Sequence, residues 1–432
     1  MAVPVAKAKK ALVNTPSPIS SLPNEILVLI FEFGHTLPQA TKLPFECLVL
    51  QVTRHWRDVA ISVPRLWTSI IVSPIAPAGM LAAYLQRSRS FPIDLTCDLE
   101  PNPPDDDSQN EHVIGLWKMV VPHAARWRRL SIEVNCISLI VDSISALFVP
   151  FLERLEITSR TEISRETFSI FRGGAPALKS LLFVGVTLNS CRPPLDSLTY
   201  LTLSESRSYI LYSQFLDILA ALPCLEDLGL FGSIVTDWPV YPTIKIELPA
   251  LATFRLANPP TPMCSPFFTI VAPTLRSLSL YGIFRGDFPQ ALTGDRIHAN
   301  FPSIQSLTLM IPKSVMIETS VAHEFPAITH LTLLGVDPHN TILQQLLHEN
   351  HPTGSLVWPN LHTITLSSPS YDISFLCDFL SSRIAIGHPI STLVIPQPDQ
   401  IAEIEWLREH VHVEEFQGHS FQQDIDLFLS LP

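Results

Sequence analysis

The side chains with the greatest chemical reach are fifteen histidines and seven cysteines, and neither set converges on a site. His348-Glu349-Asn350-His351 and His410-Val411-His412 are the close histidine pairs. A metal centre wants three or four converging ligands, so each pair reads instead as a solvated helix end or an edge strand. Cys47, Cys97, Cys136, Cys191, Cys224, Cys264 and Cys377 are scattered, with no Cys-x-x-Cys spacing, which predicts neither a disulfide framework nor zinc and fits a reducing compartment. Cys136, Cys224 and Cys377 sit beside apolar repeat positions and read as small core residues. None has the electropositive neighbourhood that a thioester-forming cysteine needs. Asp105, Asp106 and Asp107 follow Pro101-Asn102-Pro103-Pro104, and three consecutive carboxylates in such a loop point in different directions. Gly173-Gly174 is an isolated pair, and no phosphate loop, Gly-x-Gly-x-x-Gly, Gly-x-Ser-x-Gly or His-Glu-x-x-His occurs. The expectation is a protein that is not an enzyme and holds no cofactor or metal.

The bulk properties agree. Apolar residues make up 47% and charged residues 16% of 432, enough for a long buried interior. A net charge of −12 argues against nucleic acid as a partner, because displacing counterions needs a basic surface. No membrane span is expected: the uncharged run Ala257 to Leu275 is broken by prolines. Residues 1–18 read as a flexible leader rich in Pro, Ala and Lys, without the apolar core of a secretory signal. Lys7, Lys9 and Lys10 in that leader are compatible with nuclear import, so the expected location is cytoplasmic, nuclear or both.

What must position any functional surface is a repeat. Pro-x-Leu-x-x-Leu-x-Leu occurs from Pro150, Pro176, Pro223, Pro249, Pro273, Pro302, Pro326 and Pro359, with Ile or Phe at some apolar places. Weaker copies centre on Leu130, Leu201 and Leu393, giving about eleven units, mostly 24 to 29 residues apart. Leu-x-Leu puts two side chains on one side of a short strand, and proline fixes the approach to it. One such unit cannot cover its own apolar face; stacked neighbours can. Between the strands, Gln214 to Ala221, Thr341 to Glu349, Ile373 to Arg383 and Gln400 to His410 read as helical, Asn258 to Phe267 reads as loop, and Phe416 to Leu431 is expected to cap the C-terminal end.

Ahead of the repeats lies Ser20 to Ile71. It opens Leu22-Pro23-Asn24-Glu25-Ile26-Leu27, has Val52 and Trp56 at its centre, and closes Pro64-Arg65-Leu66-Trp67. Pro23 suits the first turn of a helix, and Glu25 faces its positive end. Ile26, Leu27, Ile30, Phe31 and Phe33 give a broad apolar face at helical spacing. A second helix from about Phe45 to Ile61 would carry Leu48, Val52, Trp56 and Ala60 along one stripe, and Thr68 to Val72 reads as a strand, with Trp67 locking the helices to it.

This stretch resembles an F-box, the module that docks substrate receptors onto the Skp-type adaptor of cullin-based ubiquitin ligases. It departs from the pattern in a longer, more polar Gly34 to Pro44 link and in Thr53, where many members have cysteine. The following units resemble the leucine-rich repeat in its irregular form, with the usual asparagine surviving at Asn135. The implied fold class is α/β: a short helical F-box over residues 19–72, then over 73–432 an irregular leucine-rich-repeat solenoid with a parallel concave sheet and a C-terminal cap. The resemblance implies a substrate-recognition subunit of an SCF-type ligase, with Leu22, Pro23, Ile26, Leu27, Ile30, Val52 and Trp56 binding the adaptor and, through it, a cullin. The alternative is a repeat scaffold unrelated to ubiquitin. If the strands run parallel, the residues between the leucines line one face, in an arc on the order of 50 Å long. Leu182, Val184, Phe231, Arg255 and Tyr281 are its expected anchors for an unidentified target protein.

Overall fold

The computed structural model describes residues 22–37, 43–100, 107–135, 137–159, 168–204, 209–239, 244–257, 265–282, 299–310, 325–335, 343, 346, 357–368, 371–398 and 403–429. The chain builds a mixed α/β fold around one sheet of 14 strands whose spatial order is their order in the chain. They are β1 (Ser69–Val72), β2 (Ile93–Asp98), β3 (Trp127–Val134), β4 (Arg154–Ser159), β5 (Ser180–Val184), β6 (Tyr200–Ser204) and β7 (Asp227–Phe231). The sheet continues with β8 (Thr253–Ala257), β9 (Ser277–Tyr281), β10 (Ser306–Met310), β11 (His330–Leu334), β12 (Thr363–Leu366), β13 (Thr392–Ile395) and β14 (His412–Glu415). Neighbouring strands are parallel throughout. The repeat accounts for eleven of these; β1, β2 and β14 extend the sheet beyond it at both ends.

Register follows from the leucines. One core ladder runs Leu130, Leu155, Leu181, Leu201, Leu228, Phe254, Leu278, Leu307, Leu331, Ile364 and Leu393. All of them are buried, and each contributes about 1.5–3 kcal/mol relative to exposure. A parallel ladder two residues on begins at Ile132 and reaches Leu366. The proline performs the role its geometry suits. In Ala175-Pro176-Ala177-Leu178 the Leu178 N–H donates to Ala175 O at 3.1 Å, with Pro176 at the second position of the turn. The same turn precedes Leu152, Leu225, Leu251, Leu275 and Leu361. Adjacent turns are stitched by hydroxyls: Thr274 Oγ1 donates to Pro249 O and Ser303 Oγ to Pro273 O, each at 2.6 Å.

Four of the strands exit through glycine rather than asparagine. Gly185, Gly232, Gly282 and Gly335 each follow a strand with φ between 68° and 87°. A Cβ on Gly185 would stand 1.9 Å from Ser159 O, so the position tolerates no side chain.

Three helices precede the sheet: α1 (Asn24–Thr36), α2 (Phe45–Val49) and α3 (Arg54–Ser62). The single helix expected from Phe45 to Ile61 is broken, because Thr53 adopts an extended conformation and caps a new helix, its Oγ1 accepting from Trp56 N at 3.1 Å. Pro64–Trp67 forms a short 3-10 turn leading into β1. Next, α4 (Ala78–Arg87) packs on that turn and on β1, and α5 (Asp107–Val120) packs on α4. Between strands the expected helices appear at Tyr212–Ala220, Ile373–Ala385 (α6) and Ile404–His410. Of Thr341 to Glu349 only the buried, helical Leu343 and Leu346 are described. Ser265–Thr269 is a short helix where loop was expected, and residues 258–264 lie outside the described residues. So do Cys136, Cys264, the His348–His351 pair and residues 101–106, while Asp107 opens α5.

Candidate interaction surfaces

The first surface is α1. Leu27 and Phe31 face inward and are fully buried, and Trp56 of α3 packs on Phe31 with ring centroids 5.1 Å apart. About a quarter-turn away, Ile26, Leu29, Ile30, Phe33 and Leu37 recur at helical spacing on the outside, with Leu29 61% and Phe33 67% exposed. Among the described residues no element covers this stripe. Of the residues expected to meet an adaptor, Ile26, Ile30, Val52 and Pro23 are exposed, Leu22 and Trp56 half-buried. Leu27 is corrected: it is a core residue holding α1 to the rest. Leu29 and Phe33 are the more exposed apolar groups of the helix, though only Phe33 stood out in the sequence pattern.

The second surface is the sheet face opposite the leucine ladders. Period-two alternation puts Leu182, Thr202, Gly229, Arg255, Ser279 and Thr308 in one row across β5 to β10. Val184, Ser204, Phe231, Ala257, Tyr281, Met310 and Leu334 make the next row, through β11. All five expected anchors therefore share a face. Their expected exposure is corrected, however: Phe231 and Tyr281 are fully buried and Leu182, Val184 and Arg255 partly so. The cover is helix α7 (His419–Leu429). Rather than capping the end of the sheet, it lies across the middle.

The α7 contacts are specific. Phe428 sits 6.2 Å from the Tyr281 ring, and Tyr281 in turn sits 5.7 Å from Phe231. Leu427 is buried in this cluster, with Phe421, Ile425 and Phe416 packed around it. Asp424 accepts from Tyr281 Oη at 2.8 Å and from Arg255 Nη1. Arg255 is braced from below by Asp227 and by Thr202 Oγ1, the latter at 3.0 Å. Burial and the Asp424 charge push the Tyr281 phenol well above its ordinary range. Burial also raises the Asp227 carboxyl against the pull of Arg255.

A further polar cluster, unsignalled in the sequence, joins α1, α2 and α4. Tyr84 Oη donates to Glu46 Oε1 at 2.5 Å, and His35 Nδ1 lies 3.3 Å from Glu46 Oε2. These groups border a cavity of about 360 Å³ lined also by Leu43, Ile70, Ile71, Met80 and Leu81. Burial opposes ionisation of Glu46, but the neighbouring His35 imidazole and the hydrogen bond from Tyr84 outweigh it and lower its pKa. A carboxylate depressed on folding stabilises the native state above its unfolded pKa and loses that contribution as pH falls through its folded one. Acid unfolding of Glu46→Gln, followed by circular dichroism, should therefore show a shallower fall in stability below about pH 4 than wild type. Identical acid profiles would dismiss the role.

None of this assembles a catalytic constellation. Among the described residues no group of three His, Cys, Asp or Glu could hold a metal ion, and no helix is long and apolar enough to cross a membrane. His410 stacks on Trp406, and His412 pairs with Glu414 at the sheet edge. Of the cysteines, Cys97 and Cys191 are buried, burial pushing the Cys191 thiol up to about 12. Cys224 is exposed and Cys377 half-buried, contrary to their expected place in the core.

No family model matches the chain, and no curated protein does. Among solved structures, a protein from Bacteroides fragilis aligns with a TM-score of 0.28 and 12% identity, over 69% of this chain. The alignment covers 66% of that protein, just under two thirds of its length. A likeness so loose does not bear on function.

Proposed function

We propose that this protein is a substrate-recognition subunit of an SCF-type ubiquitin ligase, in which α1 to α3 act as an F-box and the sheet as an irregular leucine-rich-repeat solenoid. The observation that carries the reading is the α1 stripe of Ile26, Leu29, Ile30, Phe33 and Leu37, left bare among the described residues beside a fully packed Leu27 and Phe31. An apolar stripe on a helix whose other side is already buried is maintained at a cost in solubility unless a partner covers it. Its place, directly after Leu22-Pro23 and ahead of the Pro64–Trp67 turn, supports a Skp-type adaptor, and through it a cullin, as that partner. The sheet face, where Leu182, Val184, Phe231, Arg255 and Tyr281 gather, would hold a target protein. Catalysis would then be proximity alone, raising the effective concentration of target lysines near a conjugating enzyme carried by other subunits. The reading implies work in the cytoplasm, the nucleus or both.

Capture by an immobilised Skp-type adaptor tests it. Wild type should bind, and Ile26→Asp/Ile30→Asp, matched for folding by circular dichroism, should bind at least roughly 30-fold more weakly, the effect of losing a hot spot. Failure of folded wild type to bind would leave a non-enzymatic repeat scaffold.

A further inference from the structure

The position of α7 says what the sheet face accepts. Phe421, Asp424, Ile425 and Phe428 recur at i, i+3, i+4 and i+7 and meet the sheet, Gln423 accepts from Arg154 Nη2 of β4 at 3.4 Å, and Gln422 and Asp426 face solvent. This is the pattern of an amphipathic helix laid in a groove. The groove supplies its own brace: Arg255 bonds Asp227 and Thr202 within the sheet, which leaves Nη1 for Asp424 of the helix. Phe231 and Tyr281 form the floor.

Two features mark α7 as an occupant rather than a structural cap. The sheet is already continued past the last repeat by β14 and flanked there by Ile404–His410, so α7 closes nothing at that end. Its apolar contacts also form a cluster of their own on the outer face, separate from the continuous core that runs from Leu27 to Val411. Within that cluster the receiving Phe231 and Tyr281 are fully buried; on α7 Asp424 and Leu427 are buried and Phe421, Ile425 and Phe428 partly so.

We infer that the face of β5 to β11 binds an amphipathic helix of a partner protein carrying an aromatic residue, a carboxylate three positions later and a second aromatic at the seventh, and that α7 is a resident helix of the same chemistry which the partner displaces. The inference rests on the sheet being the target-binding face, as proposed above, and is independent of adaptor docking; adaptor capture would be unchanged by its failure. A tethered helix competes at an effective concentration near the millimolar range, so a ligand in trans meets an occupied groove.

The test is a fluorescent peptide spanning residues 416–429, titrated by anisotropy into the full-length protein. Wild type should bind it roughly 100-fold more weakly than Asp424→Lys/Phe428→Ala, whose own helix is released. A peptide with lysine in place of Asp424 should bind neither. Hydrogen exchange on wild type gives a readout that needs no variant: α7 amides should exchange at least about ten-fold faster than those of β7 to β9, as expected for a locally opening element. Equal affinity of the peptide for wild type and variant would overturn the inference. Absence of binding to a variant whose α7 exchanges freely, or protection of α7 equal to that of β7 to β9, would do the same.

Discussion

Replacing Arg383 with methionine should lower stability by roughly 3–5 kcal/mol, more than most single substitutions, because the guanidinium is the hub of a buried set of carbonyls. Arg383 lies on α6 with no accessible surface. Its Nε donates to His388 O at 3.0 Å, Nη2 to Trp358 O at 3.0 Å and Leu361 O at 3.3 Å, and Nη1 to Val357 O at 3.4 Å. Trp358 and Leu361 bracket the proline turn that launches β12, while His388 sits past the end of α6. One side chain therefore ties a turn, a helix end and a strand entry together. Burial lowers the pKa of the guanidinium, because desolvation disfavours its charged form; hydrogen bonding offsets that cost. Methionine matches the bulk but leaves those oxygens without donors. Lysine should recover only part of the loss, since a compact ammonium lacks the planar fork that reaches both sides. Repeats unfold with their neighbours, so the loss should appear first as faster hydrogen exchange in β12 and β13. A variant within about 1 kcal/mol of wild type in denaturant unfolding would refute the assignment.

Arg383 also illustrates what a one-dimensional pattern withholds. The ladders were legible because Leu-x-Leu and the preceding proline state their own geometry: alternation fixes the buried side, and a turn with proline at its second position fixes the entry. An arginine near the end of an amphipathic helix reads as solvated, and its acceptors are backbone atoms that carry no sequence signal. On α1 the difficulty was different. Val28, Leu29, Ile30 and Phe31 make the helix apolar nearly all round, so periodicity could not say whether Leu27 or Ile30 faces inward. Thr53 did carry a signal, as an N-cap residue, but the stripe from Leu48 to Ala60 hid it. The glycines at positions 185, 232, 282 and 335 stand in equivalent places after four strands, where a pattern built on asparagine has no term for them. The docking of α7 joins Asp424 to Arg255 across 169 residues of chain, and no local spacing encodes such a contact.

The second large effect is expected at Trp67, where the helices meet the sheet. Trp67 closes the 3-10 turn and is buried between α3 and α4, its Nε1 donating to Ala60 O of α3 at 3.0 Å. The Tyr84 ring meets it edge-on at 5.0 Å, and the Arg87 guanidinium stacks over it at 4.4 Å. Truncation to alanine leaves a cavity of most of an indole and should lower stability by about 3–5 kcal/mol. Phenylalanine should cost less, because it keeps most of the packing and forfeits the hydrogen bond to Ala60. The location of the loss discriminates between two roles. Were Trp67 only core volume, both flanks would loosen together. As the fastener between the helical unit and β1, its removal should let α1 and α3 exchange amide hydrogens well before β2 and β3 do. Under the ligase reading the fastener has a further duty, since the adaptor would grip one side of it and the target the other. A ligase that works by proximity depends on that angle being held, so on that reading Trp67→Ala should capture adaptor through an intact α1 stripe yet support slower ubiquitination of the target by the assembled complex. Unchanged exchange in α1 and α3 would place the rigidity elsewhere.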